Sequence, residues 1–255
     1  MTVALAIAIV TLWTLRQNKE TLQMSEIVVG GVEKFSAVDF PGCLSAVVFM
    51  QGCPWKCPFC HNASIRPILK ENDFCWEKFF EFLKTRVGKL DAVTFSGGEP
   101  LVQDCLCDVI REVKTLGFKI GLHTGGYRPE HLAKVLPLVD WVGLDIKAPF
   151  EEDKYQNMVG IPHLNRVKES LDLLLKSGID FECRTTCDPR FLSADDLKKI
   201  AETLKNKGVK KYFLQKYRPI ESDKSTTDDM CERLVADKEL LAYLKENFEE
   251  FEVRK

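Results

Sequence analysis

Nowhere do these 255 residues stay apolar for the ~20 positions that a membrane-spanning helix needs. The nearest approach, Met1 to Leu15, carries no charge but stops at Arg16. It also lacks the basic start and small-residue cleavage site of a secretory signal. Neither charge sign prevails: 36 Lys and Arg stand against 38 Asp and Glu, for a net charge of -2. The two signs are interspersed, so the basic footprint of a nucleic-acid binder is missing. No internal repeat and no low-complexity tract is found. Regular cysteine spacing is absent too, and the chain is long, which together exclude a small secreted disulfide scaffold.

Cysteine itself is abundant. There are ten, and three of them crowd into Cys53, Cys57 and Cys60 while the rest are scattered. Tight clustering in a chain of otherwise cytoplasmic character points to metal or iron–sulfur ligation. Residues 1–23 form an apolar extension with a polar connector. They are read as an upstream start preceding Met24, with a membrane anchor or a packed helix as the other readings. Residues 24–255 are expected to form a single domain.

From Leu44 onward, short apolar runs alternate with amphipathic stretches. The runs rich in Val, Ile, Phe and Leu predict strands at Leu44–Met50, Ala92–Ser96, Lys119–His123, Trp141–Asp145, Phe181–Thr186 and Lys211–Lys216. Helices are expected at Trp76–Val87, Val102–Leu116, Pro129–Leu136, Leu164–Lys176 and Ala194–Lys207, with a further one over Glu239–Phe251. Ser193 followed by Asp196 fits a capping pattern, and Gly117, Gly178 and Gly208 stand where helix C-terminal caps want glycine. Strand–helix alternation of this kind makes a parallel sheet. Ligands of such folds gather at the C-terminal strand ends. That is where the unusual sequence lies: Gln51-Gly52-Cys53, Gly97-Gly98-Glu99-Pro100, Thr124-Gly125-Gly126, Asp145 with Lys147, and Arg184.

Three thiolates in the loop Cys53-Pro-Trp-Lys-Cys57-Pro-Phe-Cys60 can hold three irons of a cubane and leave the fourth open. Ferredoxin-type cubanes use four cysteines, so an open iron marks a place for a substrate or cofactor. Two other readings remain for the loop taken alone. One is a zinc site completed by His61; the other is a redox pair of Cys57 and Cys60.

The Cys-x3-Cys-x2-Cys spacing, with the aromatic Phe59 just before the last cysteine, resembles the signature of the radical S-adenosylmethionine (SAM) superfamily. Gly97-Gly98-Glu99-Pro100 resembles its second motif. The resemblance implies an incomplete (β/α)6 parallel barrel with one 4Fe–4S cluster on Cys53, Cys57 and Cys60. It implies SAM bound near Phe59, Gly97, Gly98, Glu99, Thr124, Gly125 and Arg184, with Asp145 and Lys147 as an ion pair beside it. The cluster would pass an electron to SAM, giving methionine and a 5′-deoxyadenosyl radical; the protein orients and the cofactor reacts.

Ser36-x2-Asp39-Phe-Pro41-Gly42, Cys60-His61-Asn62 and Trp141-Val-Gly-Leu-Asp145-Ile-Lys147 look like glycyl-radical-enzyme activases. Arg184-Thr185-Thr186 and Leu214-Gln215-x-Tyr217-Arg218-Pro219 look most like activators of anaerobic ribonucleoside-triphosphate reductase. The implied partners are that reductase and a flavodoxin or ferredoxin electron donor. The alternative is radical chemistry on a small molecule such as a 7-deazaguanine precursor. His123 stands where many relatives carry an aspartate that helps hold a monovalent cation, which puts such a site in doubt. Cys43, Cys105, Cys107, Cys183, Cys187 and Cys231 read as ordinary reduced thiols.

Overall fold

The computed structural model describes residues 27–69, 71–220 and 223–255. The expectations for residues 1–23 and for a start at Met24 fall outside the described residues. One sheet of eight strands forms the frame, in the spatial order of the chain. Strand β1 is Val29–Ser36, β2 Ser45–Met50, β3 Ala92–Gly97, β4 Lys119–Thr124 and β5 Trp141–Asp145. Strands β6, Asp180–Cys187, β7, Lys211–Lys216, and β8, Glu250–Arg254, complete it. β2 to β8 run parallel, whereas β1 lies antiparallel to β2. β1 and β8 remain edges, so the sheet stays open.

The six expected parallel strands are β2 to β7. Their inner members, such as Ala46, Val47, Val48, Val93, Phe95, Leu122, Val142 and Leu144, have no exposed surface. This is what covering both faces of a parallel sheet requires. Helices α1, Trp76–Lys84, α2, Leu106–Lys114, α3, Pro129–Val135, α5, Leu164–Ser177, and α6, Ala194–Lys207, follow the predicted series. Ser193 and Asp196 form the reciprocal capping box at the start of α6. Two helices were not foreseen and a third is shorter than expected. α4, Glu152–Val159, and α7, Asp228–Val235, lie in stretches for which no element was expected. α8, Lys238–Asn247, is shorter than the expected tail helix.

The tail differs for a visible reason. After Phe248 the burial alternates, with Phe251 and Val253 turned in and Glu250 and Glu252 turned out, a strand period rather than a helical one. Helix α2 also begins later than expected. Gln103, just before it, is extended, and its side chain is spent on staples. Its amide donates to the carbonyls of Val28 and Gln51 at 2.6 and 2.9 Å and accepts from Val28 N–H at 3.0 Å. These bonds hold β1 against the end of β2, where the cysteine loop departs.

Candidate active site

The loop after β2 is pinned from three sides. Gly52 N–H donates to the Ile65 carbonyl and Cys53 N–H to that of Arg66, each at 2.8 Å, and Lys56 N–H donates to the Val159 carbonyl at 2.9 Å. The Asn62 amide donates to the Gly97 carbonyl at 3.1 Å, which ties the loop's far end to β3. Trp55, Cys57 and Phe59 are buried while Cys53 and Cys60 are half-buried.

At the end of β3 two backbones nearly touch. Gly97 has φ +110°, and a Cβ on it would stand 2.4 Å from Met50 N; on Gly98 it would stand 2.2 Å from the Gly52 carbonyl oxygen. Only glycine satisfies both the left-handed backbone and the space. The motif therefore packs the end of β3 directly on the root of the cysteine loop.

A cavity of about 180 Å³ brings Cys53, Cys57, Phe59 and Cys60 together with Gly97, Gly98, Glu99, Thr124, Gly125, Asp145, Lys147 and Arg184. The residues expected as cluster ligands, SAM contacts and ion pair thus line one cavity, whereas Gln51, Gly52, Pro100 and Gly126 from the same strand ends do not. Trp55, Asn62, Arg66, Ser96 and His123 line it too. Trp55 was not singled out, although a large aromatic between two clustered cysteines was a usable signal.

Glu99, 1 % exposed, bridges two loops. Its Oε1 accepts from Thr124 Oγ1 at 2.5 Å and from Leu101 N–H at 3.2 Å, and its Oε2 accepts from Gly125 N–H at 2.9 Å. Burial raises its pKa above the usual carboxylate value, against the pull of these three donors. Beside it, burial, with help from the Glu99 charge, pushes the Cys53 thiol up to about 12. Burial likewise raises Cys57. Thiolates in that place call for a cation, and the iron of a cluster supplies one. The donor set therefore fits an iron–sulfur group. Among the described residues no three His, Cys, Asp or Glu side chains converge as a single ion requires. The Nε2–H of His61 is already donated to the Arg218 carbonyl at 2.7 Å.

The expected ion pair of Asp145 and Lys147 is present at 3.4 Å. Arg184 joins it, donating from Nε and Nη2 to Asp145 Oδ1 at 2.9 and 2.8 Å. Burial alone would raise the Asp145 pKa, but Arg184 and Lys147 overcome it and hold it at about 2. Because the folded pKa is depressed, this stability is complete above the unfolded value of 3.8 and is lost as pH falls towards 2. With 30 % of the side chain exposed, solvent screening trims it to about 1–2 kcal/mol. The stability gap between wild type and Asp145→Asn, measured by denaturant unfolding, should therefore be widest near neutrality and narrow below pH ~4.

His123 is held neutral. Burial, reinforced by Arg184, lowers its pKa to about 3. Its Nε2–H donates to the Asp39 carbonyl at 2.8 Å, leaving Nδ1 to accept from Ser96 Oγ at 3.4 Å. An imidazole so engaged offers no negative charge for a monovalent cation.

The family model of the radical SAM superfamily matches residues 47–188, which run from within β2 through β6 and include every residue lining the cavity. The chain belongs to the radical SAM superfamily. It is 33 % identical over 222 residues to a protein of Methanocaldococcus jannaschii named for glycyl-radical enzyme activation, covering 83 % of this chain and 87 % of that one. It is 29 % identical over 240 residues to the pyruvate formate-lyase-activating enzyme of Clostridium pasteurianum, covering 87 % and 98 %. These relatives put it in the glycyl-radical-enzyme activase group. Enzymes of the radical SAM superfamily use a 4Fe–4S cluster and SAM. Among solved structures, SuiB of Streptococcus suis bound to S-adenosylmethionine superposes with a TM-score of 0.61 at 14 % identity. That match covers 80 % of this chain and 48 % of SuiB. AdoMet-bound anSMEcpe superposes with a TM-score of 0.59 at 16 % identity, covering 79 % and 61 %. At such identities the likeness is one of fold. Among the described residues no helix is long and apolar enough to cross a membrane.

Proposed function

We propose that this radical SAM activase generates a glycyl radical on a partner enzyme, and that the partner is an anaerobic ribonucleoside-triphosphate reductase with a flavodoxin or ferredoxin as electron donor. Cys53, Cys57 and Cys60 hold the cluster, and SAM lies along Phe59, Gly97, Gly98, Glu99, Thr124 and Gly125. A cluster bound there with SAM supplies reductive cleavage of the sulfonium and a carbon radical that abstracts hydrogen. The chain's own part is placement. The crossed glycines bring main-chain atoms close to the ligand, and Glu99 fixes the loop after β4 while offering charge to an ammonium. Arg184, already partnered by Asp145, keeps Nη1 for an anionic group.

The observation that carries the reading is a second, larger space. A cleft of about 1100 Å³ shares His61, His123, Asp145, Arg184 and Thr186 with the cofactor cavity, so the two adjoin. It runs out between Val38–Pro41, beyond β1, and the β7–β8 side, with Arg218, Pro219 and Val253 on its walls. An open sheet with such a lateral mouth suits a glycine carried on a protein loop. The test is electron paramagnetic resonance of the reduced enzyme with SAM, mixed anaerobically with purified candidates. The reductase should acquire a glycyl-radical doublet. A doublet on pyruvate formate-lyase alone would refute the reductase, and turnover of a small molecule with no protein radical would refute the activase reading.

Replacing Glu99 with Gln tests the SAM contact. The amide sets its N–H2 either against the Gly125 N–H or against the Thr124 and Leu101 donors, and its hydrogen bond to an ammonium is about half as strong. SAM affinity should fall about tenfold or more, worth ~1.4 kcal/mol, while iron per chain stays near wild type. Equilibrium SAM binding and iron assay on the same anaerobic sample read both.

A further inference from the structure

β8 is an edge of the sheet. Among the described residues it pairs with β7 alone, in a register that runs unbroken from Lys211 opposite Glu250 to Gln215 opposite Arg254. Glu250 N–H donates to the Lys210 carbonyl at 3.2 Å. Main-chain groups of a strand point to alternate sides, so those of Glu250, Glu252 and Arg254 serve β7 and those of Phe251 and Val253 point to the open edge. Such an edge is a template for another extended chain. The next outward carbonyl, that of Lys255, already accepts from Nη2 of Arg218.

The other edge of the sheet is a poorer template. β1 slips register twice against β2, between Val29 and Gly31 and between Glu33 and Ser36, and none of its residues lines the large cleft. Glu252, Val253, Arg254 and Lys255 all line it. Successive side chains stand on opposite faces of a strand, so a cleft that meets all of these is not confined to one face of the sheet. The strand is also staked in place. Arg254 reaches across β7, over the Phe213 ring at 3.9 Å, and its fork donates to both carboxylate oxygens of Glu182 on β6. A bidentate pair of this kind fixes geometry as well as adding energy.

A glycine gives a host no side chain to grip. Placing its α-carbon falls to the main chain on either side of it, and hydrogen bonds along a strand edge hold main chain directly. The distances suit. Adjacent strands lie about 4.8 Å apart, so β6, whose Arg184 and Thr186 line both the cleft and the cofactor cavity, is roughly 10 Å from β8. An extended segment covers that span in about three residues.

We propose that the free edge of β8 at Phe251 and Val253 binds the partner's glycine-bearing segment as an added strand, main chain to main chain. The glycine then lies about three residues beyond the paired stretch, over the cofactor cavity. The proposal rests on the activase reading.

The test removes one N–H. Replacing Val253 with its α-hydroxy acid puts an ester oxygen where the outward N–H was and keeps the side chain. Val253→Pro removes the same donor, and an edge strand tolerates proline where the N–H faces away from the sheet. Glycyl-radical formation is followed by electron paramagnetic resonance against partner concentration, with reduced enzyme and saturating SAM. Both variants should raise the KM for the partner about tenfold, as loss of one main-chain hydrogen bond in a closed interface does, with the effect on KM and not on kcat. An ester enzyme with the wild-type KM overturns the proposal, and so does one that loses kcat at unchanged KM. A fall in oligomeric mass on ester replacement gives the edge to a second copy of this chain and overturns it too. The activase reading fails differently, with wild-type enzyme forming a radical on no protein, and takes the proposal with it.

Discussion

Replacing Cys57 with Ala should strip the protein of nearly all of its cluster iron, from about four per chain, and abolish reductive SAM cleavage altogether. The same is expected at Cys53 and Cys60. The loop has no spare thiol: Cys53, Cys57 and Cys60 are the only sulfur side chains from Cys53 to Asn62. The control is Cys231→Ala on α7. That thiol has no exposed surface and lies outside the residues lining the cavity, so its loss should cost packing stability and leave iron unchanged. Iron and sulfide assays with 5′-deoxyadenosine yield, on anaerobically reconstituted samples, decide it. Should Cys231→Ala lose iron as fully as Cys57→Ala, the three-ligand assignment fails.

Gly98→Ala should be nearly as damaging, for a steric reason. The new Cβ would lie 2.2 Å from the carbonyl oxygen and 2.8 Å from the carbonyl carbon of Gly52, and backbone cannot swing away as a side-chain tip can. The clash falls between two bonds that join the strands, Gly98 N–H to the Met50 carbonyl and Glu99 N–H to the Gly52 carbonyl, each 2.9 Å. Overpacking of this kind costs about 2–3 kcal/mol, or roughly 5–10 °C in melting temperature for a domain of this size. SAM affinity should drop about 100-fold as the two loops separate. Gly31→Ala on β1 is the comparison, since nothing lies within 4 Å of its Cβ position; it should stay within about 0.5 kcal/mol of wild type. Thermal unfolding and SAM binding of both variants provide the measurement, and equal melting temperatures would refute the close approach at Gly98.

Much of the frame was readable before any coordinates. β2 to β7 stand where apolar runs predicted strands, because a strand covered on both faces must be continuously apolar. The start of α6 was legible in Ser193 and Asp196, because a capping box is made by residues three apart. The edges were not. β1, with exposed or half-buried residues through most of its length, has little apolar signature. β8 hides behind a helix whose pattern runs into it. Cys53, Cys57, Cys60, Phe59 and the glycines were found because spacing within one loop carries their chemistry.

The sequence by itself therefore determined the order of the parallel strands, the three-cysteine loop and the glycine pair at the next strand end, all features set by neighbours along the chain. Only the tertiary structure decided whom the polar groups serve. Glu99 holds Thr124 and Gly125 across to β4, Arg184 spends two of its nitrogens on Asp145, and Trp55 keeps an N–H with no partner. Such pairings depend on distances between residues far apart in the chain, which exist only once the sheet brings its strand ends to one rim. In a buried site every donor and acceptor must be matched or left at a cost, and which of them go unmatched is a property of the assembled wall.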